Sequence, residues 1–201
     1  MDPCPGDARN ACTGPLAVDG SNGLEIRINA NVSSNECSGA KTTCNGETWH
    51  ADFGYNQEPK GSACNLGGGG EACVLTGITE LFDCENEETE DIFQCEHSDR
   101  KPSPDLIYTF DVPNGPYVLN LYFANTYDGT IGLGKRKMDI FAEGLLAYDD
   151  FDQVDAAGSS ARVVVRSVLV DVSDGDGLSF HFSRVRQAPA VKGIEVRSVT
   201  P

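Results

Sequence analysis

The chain has 201 residues, enough for one well-buried domain, and no compositional break argues for two. Acidic residues outnumber basic ones 31 to 15, and the net charge of −16 leaves nothing to neutralise phosphates, so nucleic acid is excluded as a partner. No apolar run approaches membrane-spanning length and the start carries no apolar signal core, so insertion into a membrane is not expected.

Residues 1–23 are rich in Gly, Asp, Asn and Pro and read as an extended leader, stapled to the body by Cys4 and Cys12. Leu24 to Ala30 alternates apolar with polar and predicts a strand. Residues 31–48 are polar, hold Cys37 and Cys44, and predict a loop. Trp49 to Tyr55 then brings three aromatics in seven residues. Residues 56–100 form a long acidic insert with Gly67–Gly70, four cysteines and the charged run Glu85–Asp91. Loops of this length are uncommon unless functional or cross-linked, and the cysteine content favours cross-linking. Gly67–Gly70 is followed by Glu71 rather than by Lys-Ser/Thr, so it is a flexible loop and no phosphate cradle.

From Leu106 onward strand follows strand. Tyr108, Phe110 and Val112 alternate with polar residues, Pro113-Asn114-Gly115 breaks the run, and Tyr117, Leu119, Leu121 and Phe123 alternate again. Asn-Gly supplies the positive φ of a short connection, so the segment predicts a hairpin with one buried face. It ends in Tyr127-Asp128-Gly129, an aromatic and an acid on a loop. Arg136 to Phe141 sets Arg136, Met138 and Ile140 on one face before a turn at Glu143-Gly144. Arg162 to Val172 is Val-rich and predicts two strands broken near Ser167. Asp174 to Gly177 is a turn, Leu178, Phe180 and Phe182 alternate after it, and Val191 to Val199 closes the chain. Short strands between turn signals predict an all-β antiparallel sandwich with helix nearly absent.

The eight cysteines, Cys4, Cys12, Cys37, Cys44, Cys64, Cys73, Cys84 and Cys95, all lie in the first half. No C-x-x-C pair or zinc-finger histidine spacing accompanies them, so disulfides and an oxidising compartment, extracellular or endoplasmic reticulum lumen, are expected. Their pairing is open among about 105 connectivities. Asn31-Val32-Ser33 is a glycosylation acceptor in keeping with that compartment.

Several segments in order resemble the malectin family and the malectin-type carbohydrate-binding modules: Arg27 to Ala30, Trp49-His50-Ala51-Asp52, Asp91 to His97, Tyr108 to Leu119, Leu121 to Ala124, Arg136 to Ile140, Phe151-Asp152, Asp176 to Phe180 and Pro189 to Val196. The resemblance runs from about Leu24 to Val199 and is interrupted by the cysteine-rich insert. It implies a jelly-roll-like, galactose-binding-domain-like sandwich that holds glucose-type sugars in a loop-built cleft without catalysis. Carried over by position, the family's first tyrosine falls at Phe53, beside Tyr55. The second falls at Ser98, with His97 where the family has an arginine. The next aromatic pair falls at Tyr127 and Asp128, and the family's aspartate falls near Gln187. The substitutions imply altered sugar specificity.

A pyranose offers an apolar C–H face and a rim of hydroxyls, so its site needs flat rings and groups that take paired hydrogen bonds. Phe53, Tyr55 and Tyr127 are the candidate platforms; Asp52, His97, Asp128 and Gln187 are the candidate hydroxyl partners. Trp49 reads better as a wedge against a sheet than as a sugar contact, and Tyr122 as packing against the second sheet. Asp149-Asp150-Phe151-Asp152 suggests paired carboxylates, but glycoside hydrolysis needs two acids on separate supports roughly 5 to 9 Å apart, and adjacent acids on a loop point apart. Asp171 to Gly177 clusters oxygens that calcium could use, yet lacks the Glu that completes an EF-hand loop, so no cofactor is expected. The expected function is a non-catalytic lectin-like domain for glucan-like oligosaccharide. The competing reading is a receptor or adhesion ectodomain that binds a protein partner through the insert.

Overall fold

The computed structural model describes residues 23–30, 40–42, 46–56, 92–93, 96–99 and 103–199. All eight cysteines, the Asn31 acceptor, Gly67–Gly70 and the acidic run fall outside these residues, as do nearly all of the leader and most of the insert.

The strands in chain order are β1 (Glu25–Asn29), β2 (Lys41–Thr42), β3 (Thr48–Ala51), β4 (His97–Ser98), β5 (Leu106–Phe110), β6 (Gly115–Phe123), β7 (Lys137–Ala142), β8 (Leu145–Phe151), β9 (Val164–Val172), β10 (Leu178–Arg186), β11 (Ala190–Val191) and β12 (Gly193–Ser198). One layer has six strands in the order β2-β3-β1-β12-β6-β9, the other four in the order β5-β10-β7-β8, and β4 pairs with β11 in a separate ribbon. Every pairing is antiparallel except β1 with β3. Helix among the described residues is sparse: Ile92 and Phe93, α1 (Gln153–Ala157) and one 3₁₀ turn, Asp128–Thr130. Asp152 starts α1 by accepting from the backbone N–H groups of Val154 and Asp155, and left-handed Gly158 ends it.

Pro113-Asn114-Gly115 does not close the predicted hairpin. β5 belongs to the four-stranded layer and β6 to the six-stranded one, so the segment is a corner that crosses the core. Asn114 holds it, donating to the Ser173 carbonyl and accepting from the Gly175 N–H, while the Tyr117 hydroxyl donates to the Pro113 carbonyl. Tyr108 and Phe110 thereby meet Leu119, Leu121 and Phe123 from the opposite side, and Tyr108 stacks on Phe180 with centroids 5.4 Å apart. Three further expectations are corrected. Asp149 and Asp150 lie on β8 and not on a loop, β9 runs unbroken through Ser167, and Tyr122 faces away from the second sheet. Tyr122 packs instead with Trp49, Ile92 and Phe93 in a second apolar cluster on the outer face.

That outer face also carries a polar ladder. Arg27, Glu195, Asn120 and Ser167 are successive cross-strand neighbours on β1, β12, β6 and β9. Arg27 donates to Glu195 at 2.9 Å, Asn120 to Glu195 at 2.7 Å and Ser167 to Asn120 at 2.6 Å, and Arg197 adds a 2.7 Å ion pair to Glu195. The Glu195 carboxylate is fully buried, so its removal takes away the buried acceptor of Arg27, Arg197 and Asn120 and leaves the two guanidinium groups only the more exposed Glu25 and Glu47. Glu195→Ala is expected to cost about 3 kcal/mol in denaturant unfolding.

Candidate functional site

Across the six-stranded layer, Ala51, Asn29, Gly193, Tyr122 and Val165 stand side by side as ladder neighbours. The candidate loops leave the sheet from this row. Residues 52–56 continue β3, residues 124–134 continue β6, and between them β11 leads into β12. β3 and β6 are three strand spacings apart in that order, about 14 Å.

On the β3 side, Asp52, Tyr55 and His97 come together over β5. His97 Nδ1 lies 2.6 Å from Asp52 Oδ2 and 2.9 Å from the Tyr108 hydroxyl, which also donates to Asp52 at 3.1 Å. Burial first, and then the charge of Asp52, holds the Tyr108 hydroxyl well above its usual range, so it stays a donor. The Tyr55 ring meets His97 edge-on at 4.8 Å. Backbone bonds from Thr109 to Gly54 and from Asn56 to Ile107 zip the loop to β5. Gly54 has φ +82°, and a Cβ there would stand 2.9 Å from the Thr109 carbonyl oxygen, so only glycine fits. Asp52 and His97 are buried and engaged with each other, whereas Phe53 projects outward, 44% exposed, with its ring edge-on to Phe110.

On the β6 side, Asn125 and Thr130 clamp the loop, with Asn125 donating to the Thr130 carbonyl and the Thr130 hydroxyl to Asn125 Oδ1 at 2.8 Å. Tyr127 is 39% exposed and its ring lies over Gly129, where a Cβ would stand 2.6 Å from it. Asp128 opens the 3₁₀ turn that follows. Gln187 is exposed in a left-handed conformation between β10 and β11, and Ser98 is buried. The predicted residues therefore fall into a β3-side group, Asp52, Phe53, Tyr55 and His97, and a β6-side group, Tyr127 and Asp128, with Gln187 on the connection into β11. Tyr108, Asn125, Thr126 and Lys192 escaped sequence reading. Tyr108 sits at a core position of an alternating strand, and the other three carry no spacing signal.

A buried ionic knot lies at the root of the Tyr127 loop. Lys192 Nζ donates to the Thr126 hydroxyl at 2.9 Å and lies 4.0 Å from Glu96, which Arg136 grips with two bonds of 3.0 and 3.1 Å. Burial works against the Glu96 charge, yet Arg136 and Lys192 hold its carboxyl below the usual range. Burial pushes Lys192 down to about 8, with Glu96 pulling the other way. The native chain then binds fewer protons than the unfolded one between about pH 8 and 10.5, so Lys192 adds stability as pH rises through that window. Lys192→Met is expected to keep or raise stability at pH 7 and to abolish this rise, read as the wild-type minus mutant difference in unfolding free energy against pH. Glu96→Gln, which leaves two cations facing each other, is expected to cost about 3 kcal/mol.

Among the described residues no group of His, Cys, Asp or Glu is arranged to hold a metal ion. The model of the Malectin domain matches residues 28–194. A probable LRR receptor-like serine/threonine-protein kinase of Arabidopsis thaliana, At1g07650, is 29% identical over 161 residues, 69% of this chain and 15% of the relative. Among solved structures, the plant receptor FER in complex with the peptide RALF23 and LLG2 superposes with a TM-score of 0.67 at 13% identity, covering 89% of this chain and 49% of that one. A Bacteroides uniformis β-glucuronidase superposes with a TM-score of 0.58 at 18% identity, covering 88% of this chain and 18% of the enzyme. At such identities the structural likeness speaks for the fold alone, and the chain spans about 15% of the length of the curated relative. The family model covers most of the sequence in one continuous match, and the chain belongs to the malectin family.

Proposed function

We propose that the chain is a non-catalytic carbohydrate-binding domain, extracellular or lumenal, whose folded body is residues 24–201, and that it holds a glucose-type oligosaccharide between the Phe53 and Tyr127 loops. The observation that carries this reading is the exposure of two aromatic rings on loops leaving one row of one sheet. Phe53 rests edge-on against Phe110 and Tyr127 lies over Gly129, and the surface each ring leaves in water can serve against the apolar face of a ligand. The strands that launch the two loops stand about 14 Å apart, wider than one pyranose, so an oligosaccharide suits the span between the loops better than a single sugar. Asp52, His97 and Tyr108 act from below. Their buried bonds fix the loop that presents Phe53 and Tyr55, and they do not touch the sugar. Asp128 and Gln187 remain the hydroxyl partners in this reading. Affinity is modest, because a shallow cleft buries little area and sugar hydroxyls must be desolvated.

A second reading has one specific support. The relatives are named receptor-like kinases, and the FER structure contains a peptide and a partner protein. In that reading the fold is a receptor ectodomain module that engages a protein.

A glycan array separates the two. Binding to glucan-type oligosaccharides, weakened about tenfold or more by Phe53→Ala and by Tyr127→Ala with unchanged melting temperature, supports the lectin. Failure to bind any glycan, together with a captured protein ligand, overturns it. Tyr108→Phe is expected to weaken sugar binding less than either ring deletion, because it loosens the support and leaves the platform in place.

A further inference from the structure

Most cations on the described body are already matched to acids. Arg27 and Arg197 share Glu195, Arg136 holds Glu96, Lys137 meets Asp150, and Arg184 grips Asp99. Lys135 and Arg186 are exceptions: among the described residues neither forms an ion pair, although the chain carries a charge of −16. Both are exposed, and both stand at the far root of the Tyr127 loop. Arg186 Nη1 donates to the Gly134 carbonyl at 2.7 Å. The Lys135 stem folds back along the loop, its Cγ 3.6 Å from where a Cβ on Gly132 would stand.

Resting on the lectin reading above, we infer that the oligosaccharide is acidic, built of glucose-type rings with a carboxylate at C6 (glucuronate), and that Lys135 and Arg186 receive that carboxylate at the far root of the Tyr127 loop. A guanidinium with one N–H committed to a carbonyl keeps four donors, enough for a two-pronged grip on a carboxylate. The Gly134 bond already orders the Arg186 head, so less side-chain freedom is lost on binding. Oxidation at C6 leaves the apolar ring faces that Phe53 and Tyr127 would cover unchanged, so one ligand satisfies both features. The chain's many acids oppose an anion at long range, but at physiological ionic strength charges beyond about 8 Å are largely screened and the local pair decides.

The test titrates the full chain with a glucuronate-containing oligosaccharide and with the same oligosaccharide after carboxyl reduction, which turns each glucuronate into glucose. The acidic form is expected to bind about tenfold tighter or more. Lys135→Gln and Arg186→Gln are expected to erase that difference while leaving affinity for the reduced form intact, and their exposed positions predict unchanged melting temperatures. Equal or tighter binding of the reduced form overturns the acidic assignment and leaves the lectin reading standing. Equal binding of a sulfated neutral glucan, or full competition by polyglutamate, overturns the uronate assignment in favour of generic anion capture. Binding of neither form overturns both readings together.

Discussion

Val191, Lys192 and Gly193 are the three residues on which the site depends. Val191 pairs with His97 and so attaches the β4 ribbon. The Lys192 N–H donates to the Tyr122 carbonyl while the Lys192 carbonyl accepts from the Ala30 N–H, each at 2.9 Å, which joins the ends of β1 and β6 through one residue. Gly193 sits between Trp49 and Tyr122, where an added Cβ would stand 3.0 Å from the Trp49 ring and 3.3 Å from the Tyr122 Cβ. The start of β12 is therefore a crowded point with no room for slippage. Both candidate loops take their positions from the strands that meet it.

The outer-face ladder explains why that point is fixed. A slip of one residue in β12 would turn the Glu195 carboxylate into the apolar core and expose Ile194 and Val196. Arg27, Asn120 and Ser167 make the correct register the one in which the buried Glu195 carboxylate finds its partners. Core alternation and the polar ladder thus impose the same register from opposite faces, and the row that launches the loops follows from it. The Lys192–Glu96–Arg136 knot then ties the Tyr127 loop to the ribbon carrying His97, so the β3-side and β6-side loops share a support.

This division of labour argues against hydrolysis. Asp149 and Asp150 lie on β8, the edge strand of the smaller sheet, with Asp150 paired to Lys137, and Asp152 spends its carboxylate capping α1. Asp52, the acid nearest the candidate rings, is committed to His97 and Tyr108. Asp52, Asp150 and Asp152, acids that could be paired for cleavage, are thus each engaged in holding the fold.

The sequence by itself determined the strands, most of their faces and the loops that carry exposed aromatics. Period-two alternation records which side of a strand meets the core, and the motifs in order carried the family. It could not assign strands to layers. Tyr108 and Tyr117 alternate identically whether β5 and β6 pair as a hairpin or face each other across the core, because burial from either sheet leaves the same pattern. Nor could it separate support from surface. Asp52 and His97 read as candidate sugar ligands because acids and imidazoles bind hydroxyls, and the structure adds that the two also bond each other. Lys192 showed no signal at all, since a buried lysine is defined by groups far away in the chain. The tertiary structure decided these matters because each depends on which distant residues are brought within a few ångströms, and local sequence carries no record of that.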